Sequence, residues 1–157
     1  MDFVVNEWLP EYLRPTASLE ERKKASAFLK PFITKPKDRI VVLEPSDFLR
    51  KIHCFRKEFD YDIESRYFYK KFIKAILENL EKCLQITESD SPVLPVELQD
   101  KLSQGNFFSD TCLLKAAQYS DSKIMVTTDE RLQKNMSDTP SFQAILLDDF
   151  LAGYMEK

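Results

Sequence analysis

Short apolar runs that are typical of buried strands alternate with segments whose apolar residues recur at helical spacing, and this alternation strongly constrains the fold. The predicted strands cover residues 3–5, 39–45, 83–87, 123–127 and 143–147. The predicted helices cover residues 7–13, 18–33, 46–55, 64–84, 96–103, 111–119, 130–136 and 148–154. Strands that alternate with helices are typical of a parallel sheet covered by helices on both faces. The sequence therefore predicts an α/β fold, a three-layer sandwich with a mostly parallel central sheet.

Two of the predicted helices carry specific signals. Ser18 is followed three residues later by Glu21, which is the pattern of a capping box at a helix start. In residues 64–84, large apolar side chains recur at every fourth position. They are Phe68, Phe72, Ile76 and Leu80. This spacing predicts one long helix with a single apolar face.

Length and composition indicate one globular domain over residues 1–157. The chain is 43% hydrophobic and 31% charged, which is ordinary for a folded protein. We find no linker, repeat or low-complexity tract that would divide it. The net charge of −3 argues against a uniformly basic protein, although a local basic surface can still bind nucleic acid.

The cellular setting is predicted from three features. Residues 1–10 lack a basic segment followed by a long apolar core, so we expect no signal peptide. No apolar run approaches the roughly 18 residues that a membrane span requires, so we expect no membrane association. Cys54, Cys83 and Cys112 are widely separated, which predicts small buried apolar groups in a reducing compartment and not a disulfide or zinc framework. These features together predict a cytoplasmic protein.

The sequence lacks the residues that several common kinds of active site require. The two glycines, Gly105 and Gly153, cannot form a GxGxxG or a GxxxxGK phosphate-binding loop. The single histidine, His53, lies in an apolar helical run and is predicted to be structural or on the surface. No G-x-S-x-G nucleophile elbow is present.

Polar residues follow the predicted strands at the points where those strands end. They are Asn6, Glu7, Glu44, Thr127, Thr128 and Asp129. Asp110 heads a predicted helix, one turn before that helix's inward-facing leucines. Because the carboxyl ends of parallel strands meet at one edge of a sheet, these residues are expected to share a pocket.

The carboxylates in this set predict a cation site. Glu7, Asp110 and Asp129 would repel one another unless a cation lay between them. Mg²⁺ and Mn²⁺ prefer carboxylate oxygen and water, and they can activate a water for attack on a phosphodiester. The alternative is that Asp110 and Asp129 only cap helices, while Glu7 is a solvated acid at a helix start. The residues leave both interpretations open.

Basic side chains are concentrated in two stretches. Residues 22–39 contain seven Lys or Arg and one acid, Asp38. The long predicted helix adds basic residues beside aromatic ones. They are Arg66, Lys70, Lys71 and Lys74, near Tyr61, Tyr67, Phe68 and Tyr69. This combination can hold a phosphate backbone and stack bases, although a solvated helix face over core aromatics is the more common explanation of such a pattern.

The order of these elements resembles the PIN-domain superfamily, which includes many ribonucleases of toxin–antitoxin pairs. The resemblance is carried by the Ser46 strand-to-helix step and by the segments DTCLLKAA, VTTDERL and ILLDDFL. It implies a metal-dependent RNA-cleaving site in which Asp110 is the third acid, Asp129 the fourth and Thr127 the hydroxyl beside it. It also implies a protein partner of the antitoxin kind and a homodimer.

The chain departs from the family pattern at two positions. Asn6 stands where an aspartate is usual, with Glu7 next to it, and Asn6 adds no charge. Lys51 stands where a glutamate is usual, with Asp47 and Glu44 nearby. A lysine there would repel a divalent ion or replace it as a tethered cation.

Three functional hypotheses follow from these residues. The first is a PIN-like ribonuclease that uses Mg²⁺ or Mn²⁺ at Glu7, Asp110 and Asp129, with Asn6 and Thr127 positioning water or ligand. The second is a PIN-like module that has lost catalysis and binds RNA or a protein partner. The third, a receiver-like phosphoacceptor domain, lacks an acid pair after the first strand and a lysine after the last.

Overall fold

The computed structural model describes residues 1–59, 62–105 and 110–156. Over these residues, five strands alternate with eight α-helices. The strands are β1 (Asp2–Val5), β2 (Arg39–Glu44), β3 (Cys83–Thr87), β4 (Ile124–Thr127) and β5 (Gln143–Leu146). The helices are α1 (Trp8–Tyr12), α2 (Leu19–Thr34), α3 (Asp47–Phe59), α4 (Ile63–Phe72), α5 (Val96–Gly105), α6 (Thr111–Tyr119), α7 (Glu130–Met136) and α8 (Leu147–Met155). Every predicted strand and helix has a counterpart, although the helix predicted over residues 64–84 ends early.

The strands form one sheet in the order β3-β2-β1-β4-β5, and each pairing is parallel. Each step between neighbouring strands requires a crossover that runs over a face of the sheet, and the intervening helices supply it. The prediction of an α/β three-layer fold is therefore confirmed, with pairing that is parallel throughout the described strands.

The two faces of the sheet bury two separate cores because strand side chains alternate in direction. Phe3 and Val5 point into the core beneath α1, α2, α3, α4 and α8. Val4 points into the core beneath α5, α6 and α7. The central strand β1 is buried on both sides, which explains why Phe3, Val4 and Val5 form an unbroken apolar run after Asp2 rather than an alternating pattern.

The first core is built from aromatic rings. Phe28 of α2 is fully buried and lies 6.1 Å from Phe3, 5.4 Å from Trp8 and 5.3 Å from Phe32, measured between ring centroids. Phe150 and Tyr154 of α8 join the same cluster, stacked on each other at 4.7 Å. These rings attach α2 and α8 to the sheet.

The capping box predicted at the start of α2 is confirmed. The Ser18 hydroxyl accepts the Glu21 backbone N–H at 3.1 Å, and the Glu21 carboxylate accepts the Ser18 backbone N–H at 2.9 Å. These bonds satisfy two donors at the helix start that have no partner within the helix.

The prediction of one helix over residues 64–84 is wrong at its C-terminal end. Helix α4 ends at Phe72 and continues as a π-helix, Ile73–Leu77, in which the Glu78 backbone N–H donates to the Ile73 carbonyl at 2.8 Å. The chain then turns, and Cys83 pairs with Ile40 in the sheet. Leu80, predicted to be buried, is 82% exposed. Strand pairing in the sheet overrides the helical spacing of the sequence in this segment.

The cysteines differ from one another in environment. All three thiols are free, and Cys83 is buried, with its pKa raised to about 12 by that burial. Cys112 is half-buried, whereas Cys54 is exposed. The expectation of a buried apolar role is therefore wrong for Cys54, because its position on α3 lies away from the core. Within the described part of the chain, no helix is long and apolar enough to cross a membrane.

Candidate functional site

The direction of chain progression reverses between β1 and β4. From β1 the chain moves outward to β2 and β3, whereas β4 and β5 lie on the other side of β1. In open parallel sheets, such a reversal leaves a crevice at the carboxyl ends of the two central strands, where ligands commonly bind. Val5 pairs with Val126, so the next residues along the chain, Asn6 and Thr127, lie at this crevice.

Asn6 and Thr127 join the two loops of the crevice. The Asn6 side-chain amide donates to the Thr127 hydroxyl oxygen at 3.1 Å, and its carbonyl accepts the Glu7 backbone N–H at 2.6 Å. The Thr127 hydroxyl oxygen also accepts the Asp129 backbone N–H at 3.0 Å. Both side chains are buried. The side chains of Asn6 and Thr127 thus hydrogen-bond within the protein, and through these bonds they position Glu7 and Asp129.

Asp110 does not behave as a helix cap. It lies at the N-terminal end of α6, but its backbone is helical and its side chain makes no capping hydrogen bond. It is only 9% exposed. Burial, followed by the negative charges of Glu7, Asp129 and Asp47, raises the pKa of Asp110 from its usual 3.8 to about 6. The capping interpretation is therefore wrong for this residue.

Asp129 does cap a helix. Its Oδ1 accepts the backbone N–H groups of Arg131 at 2.9 Å and Leu132 at 3.0 Å, at the start of α7. The side chain is half-buried and close enough to Asp110 to raise the pKa of that residue. Asp129 thus caps α7 and also lies at the crevice, where its charge acts on Asp110.

Glu7 is half-buried at the start of α1. Burial is the largest cause of the raised pKa of Glu7, and the negative charges of Asp47 and Glu11 raise it further. A hydrogen bond from its own backbone N–H and the positive charge of Lys51 oppose that rise. Glu7 is therefore not the fully solvated acid of the alternative interpretation.

Lys51 is held beside the crevice by an acid that the sequence reasoning missed. Its ammonium group contacts the Glu11 carboxylate at 2.6 Å. Glu11 lies four residues after Glu7, on the same side of α1, and this i,i+4 spacing was the signal that could have identified it. The charge of Lys51 is thus shared between Glu11 and the acidic crevice.

Asp47 contributes more to the crevice than its sequence position suggested. It begins α3 after β2, and its charge raises the pKa of both Asp110 and Glu7. The same carboxylate pairs with Arg50 at 3.0 Å. Glu44, the other acid near the second family position, is exposed at the end of β2.

The described residues contain no group of three or more His, Cys, Asp or Glu side chains arranged to hold a metal ion. Glu7, Asp110 and Asp129 interact through their charges but do not form a three-carboxylate cage. Mg²⁺ is commonly held by one or two carboxylates, with water completing its coordination. These three carboxylates fit an ion bound in that way. Among the described residues, the Asp110 carboxylate makes no hydrogen bond and is therefore the donor available to the ion.

The two roles of Asp129 can be separated by substitution. We expect Asp129→Ala to destabilise the protein by about 1 kcal/mol, because two N–H groups at the start of α7 lose their acceptor. Asp129→Asn keeps an acceptor oxygen and should lose only a few tenths of that amount. Urea unfolding of both variants checks the expectation. Equal losses in the two variants would contradict the capping role.

Comparison with known proteins returns no match to any family model, curated protein or solved structure. The resemblance to the PIN-domain superfamily therefore stays a prediction from the sequence.

Proposed function

We propose that this protein is a PIN-like ribonuclease that cleaves RNA phosphodiester bonds with Mg²⁺ or Mn²⁺ at the crevice between β1 and β4. The observation that carries the proposal is Asp110, a buried carboxylate that caps no helix and interacts unfavourably with three neighbouring acids. Burying a carboxylate without a partner is costly unless a cation or hydrogen bonds compensate it. A site for a hard divalent ion accounts for this arrangement.

The roles of the residues follow from their contacts. Asp110 would hold the ion together with Glu7 or with the oxygen of Asp129 that is not engaged in capping. Asn6 and Thr127 keep the two loops at a fixed separation through their 3.1 Å hydrogen bond. When bound, Mg²⁺ or Mn²⁺ supplies an activated water for attack on a phosphodiester. Because ligation requires the ionised carboxylate, the raised pKa of Asp110 predicts weaker ion binding below about pH 6.

The test is cleavage of a labelled single-stranded RNA while Mg²⁺ or Mn²⁺ is titrated. We expect the wild type to cleave with the cation and not with chelator, and Asp110→Asn to show no cation-stimulated cleavage. Asp149→Asn is the matched control because it removes the same charge from an exposed position on α8. Cleavage that survives in Asp110→Asn would rule out the assigned site.

A second function is supported by a separate observation. The described residues lack a three-carboxylate ligand group, and the positions of two family acids hold Asn6 and Lys51. These features favour a catalytically inactive PIN-like module that binds RNA or a protein partner, such as an antitoxin-like protein or a second copy of the chain. Calorimetry separates the two functions. Absence of divalent-ion binding at millimolar concentration, with RNA or partner binding retained, would favour the module.

A further inference from the structure

A groove with a volume of about 470 Å³ separates α3 from α4 and the π-helix. Its charged lining is almost entirely basic. Among the described residues that line it, those with basic side chains are His53, Arg56, Arg66, Lys70 and Lys74, and the single acid is Glu78. The chain as a whole carries a net charge of −3, so this concentration of positive charge opposes the overall balance. A groove of this composition selects for an anion.

Three of these cations have no ion-pair partner among the residues that the structure describes. Arg56, Lys70 and Lys74 are exposed and make no ion pair with any residue that the structure describes. By contrast, Lys24 and Lys115 each contact a carboxylate. Like charges that line one groove repel one another, and an anion bound between them would remove that repulsion. The charges of the groove therefore favour binding of a negatively charged ligand from outside the chain.

The spacing of the cations favours a polymer over a single phosphate. Arg66, Lys70 and Lys74 follow one another at intervals of four residues, which corresponds to a rise of about 6 Å per step on a helix. Lys74 lies in the π-helix, and π-helical turns are frequent at functional sites. A regular row of cations matches the regularly repeated charges of a phosphate backbone.

An aromatic ring lies in the same groove. Tyr69 is half-buried between the basic residues, and its hydroxyl donates to the Ile52 carbonyl at 3.3 Å, which anchors the ring against α3. Aromatic rings beside basic residues bind single-stranded nucleic acids by stacking on bases that are not paired in a duplex. The ring therefore favours a single strand over a duplex. Tyr61, which the sequence also placed in this aromatic group, lies outside the described residues.

We infer that this basic groove binds the phosphate backbone of single-stranded nucleic acid. Helix α3 connects the groove to the acidic crevice, since it begins at Asp47 beside Asp110 and carries Arg56 nine residues later, about 14 Å along the helix. The inference concerns binding and not cleavage, so it holds for an inactive module as well as for a nuclease.

The test is fluorescence anisotropy of a labelled oligouridine in chelator, with salt varied from about 50 to 200 mM. The groove variant is Lys70→Gln with Lys74→Gln. The matched control is Lys57→Gln with Lys134→Gln, which removes the same charge from exposed lysines that lie outside the groove lining and outside the basic stretch of residues 22–39. Thermal unfolding of each variant verifies that it is folded.

We expect the groove variant to bind the oligouridine at least about 10-fold more weakly at low salt, with its salt slope reduced by about 1.4 for two lost phosphate contacts. The control should bind within about 2-fold of the wild type. Because the assay is run in chelator, its result does not depend on divalent-ion binding, and this separates failure of this inference from failure of the proposed catalytic site. Unchanged binding by the groove variant, or an equal loss in the control, would overturn the inference. Equal competition by inorganic phosphate and by unlabelled oligouridine, at matched phosphate concentration, would also overturn it.

Discussion

Asp110→Asn is expected to stabilise the folded protein at pH 7 by about 2 kcal/mol, since solvent screening reduces the roughly 3 kcal/mol of the full pKa shift. This gain corresponds to a rise in Tm of about 5 °C for a chain of this size. The reason is that ionised Asp110 is buried near Glu7, Asp129 and Asp47, and the pKa of Asp110 is raised from 3.8 to about 6. Asparagine is close to isosteric and removes the charge. A substitution that abolishes the proposed activity should therefore make the protein more stable.

The pH dependence of this effect has a definite sign. Folded Asp110 binds its proton more tightly than unfolded Asp110, so its contribution to stability is fully present below about pH 4 and is lost as pH rises through about 6. Asparagine does not titrate. The difference in unfolding free energy between Asp110→Asn and wild type should be near zero at about pH 4. It should increase between about pH 4 and 6 and stay constant above that range.

Urea unfolding at a series of pH values measures this difference directly. Asp149→Asn is the control, since that carboxylate is exposed in the first turn of α8 and its removal should change stability by less than about 0.5 kcal/mol. A variant at Asp110 that is less stable than wild type at pH 7 would contradict the electrostatic description of the crevice. A difference in unfolding free energy at pH 4 as large as that at pH 7 would contradict it as well.

Phe28→Ala is expected to cost about 4 kcal/mol of unfolding free energy, a large part of the 5–15 kcal/mol typical of a folded domain. Phe28 is fully buried, and its ring contacts Phe3, Trp8 and Phe32 at centroid distances of 6.1, 5.4 and 5.3 Å. Truncation removes the apolar surface of the ring and leaves a cavity between α2 and the sheet, which the surrounding rings are too rigid to fill.

Phe68→Ala provides the matched comparison. Phe68 occupies an apolar position in the helical pattern of α4, but its side chain is 39% exposed. The same substitution should therefore cost less than half as much as Phe28→Ala, since less area is returned to water. Chemical denaturation of both variants gives the two free energies. Comparable losses at the two positions would show that burial in the structure does not govern stability in this layer.

The secondary structure of this chain could be predicted from local patterns because, in most segments, the spacing of apolar residues and the capping residues indicate the same element that the segment forms. The capping pattern at Ser18 and Glu21 predicts the start of α2, and the apolar run of residues 3–5 in β1 predicts a buried strand. The prediction failed at residues 78–84, where the apolar spacing continued to Leu80 but the chain left the helix. A pattern of side chains cannot reveal that Cys83 has a strand partner at Ile40.

The candidate site could be predicted in part for a related reason. Its residue types and their places at strand ends follow from the sequence, because parallel strands bring their carboxyl ends to one edge. The sequence could not tell that Asp129 caps a helix while Asp110 does not, since both aspartates precede helical patterns. It also missed Glu11, which binds Lys51 across the space between α1 and α3.

The amino-acid sequence by itself determined the α/β class, the order of the elements and the presence of acids at the sheet edge, since these depend on periodicity and on neighbours within a few residues. Tertiary structure alone decided the strand order, the raised pKa of Asp110, the pairing of Lys51 with Glu11 and the basic groove between α3 and α4. The physical reason is that charge interactions and burial depend on distances between segments far apart in the chain, and those distances exist only after the layers have packed.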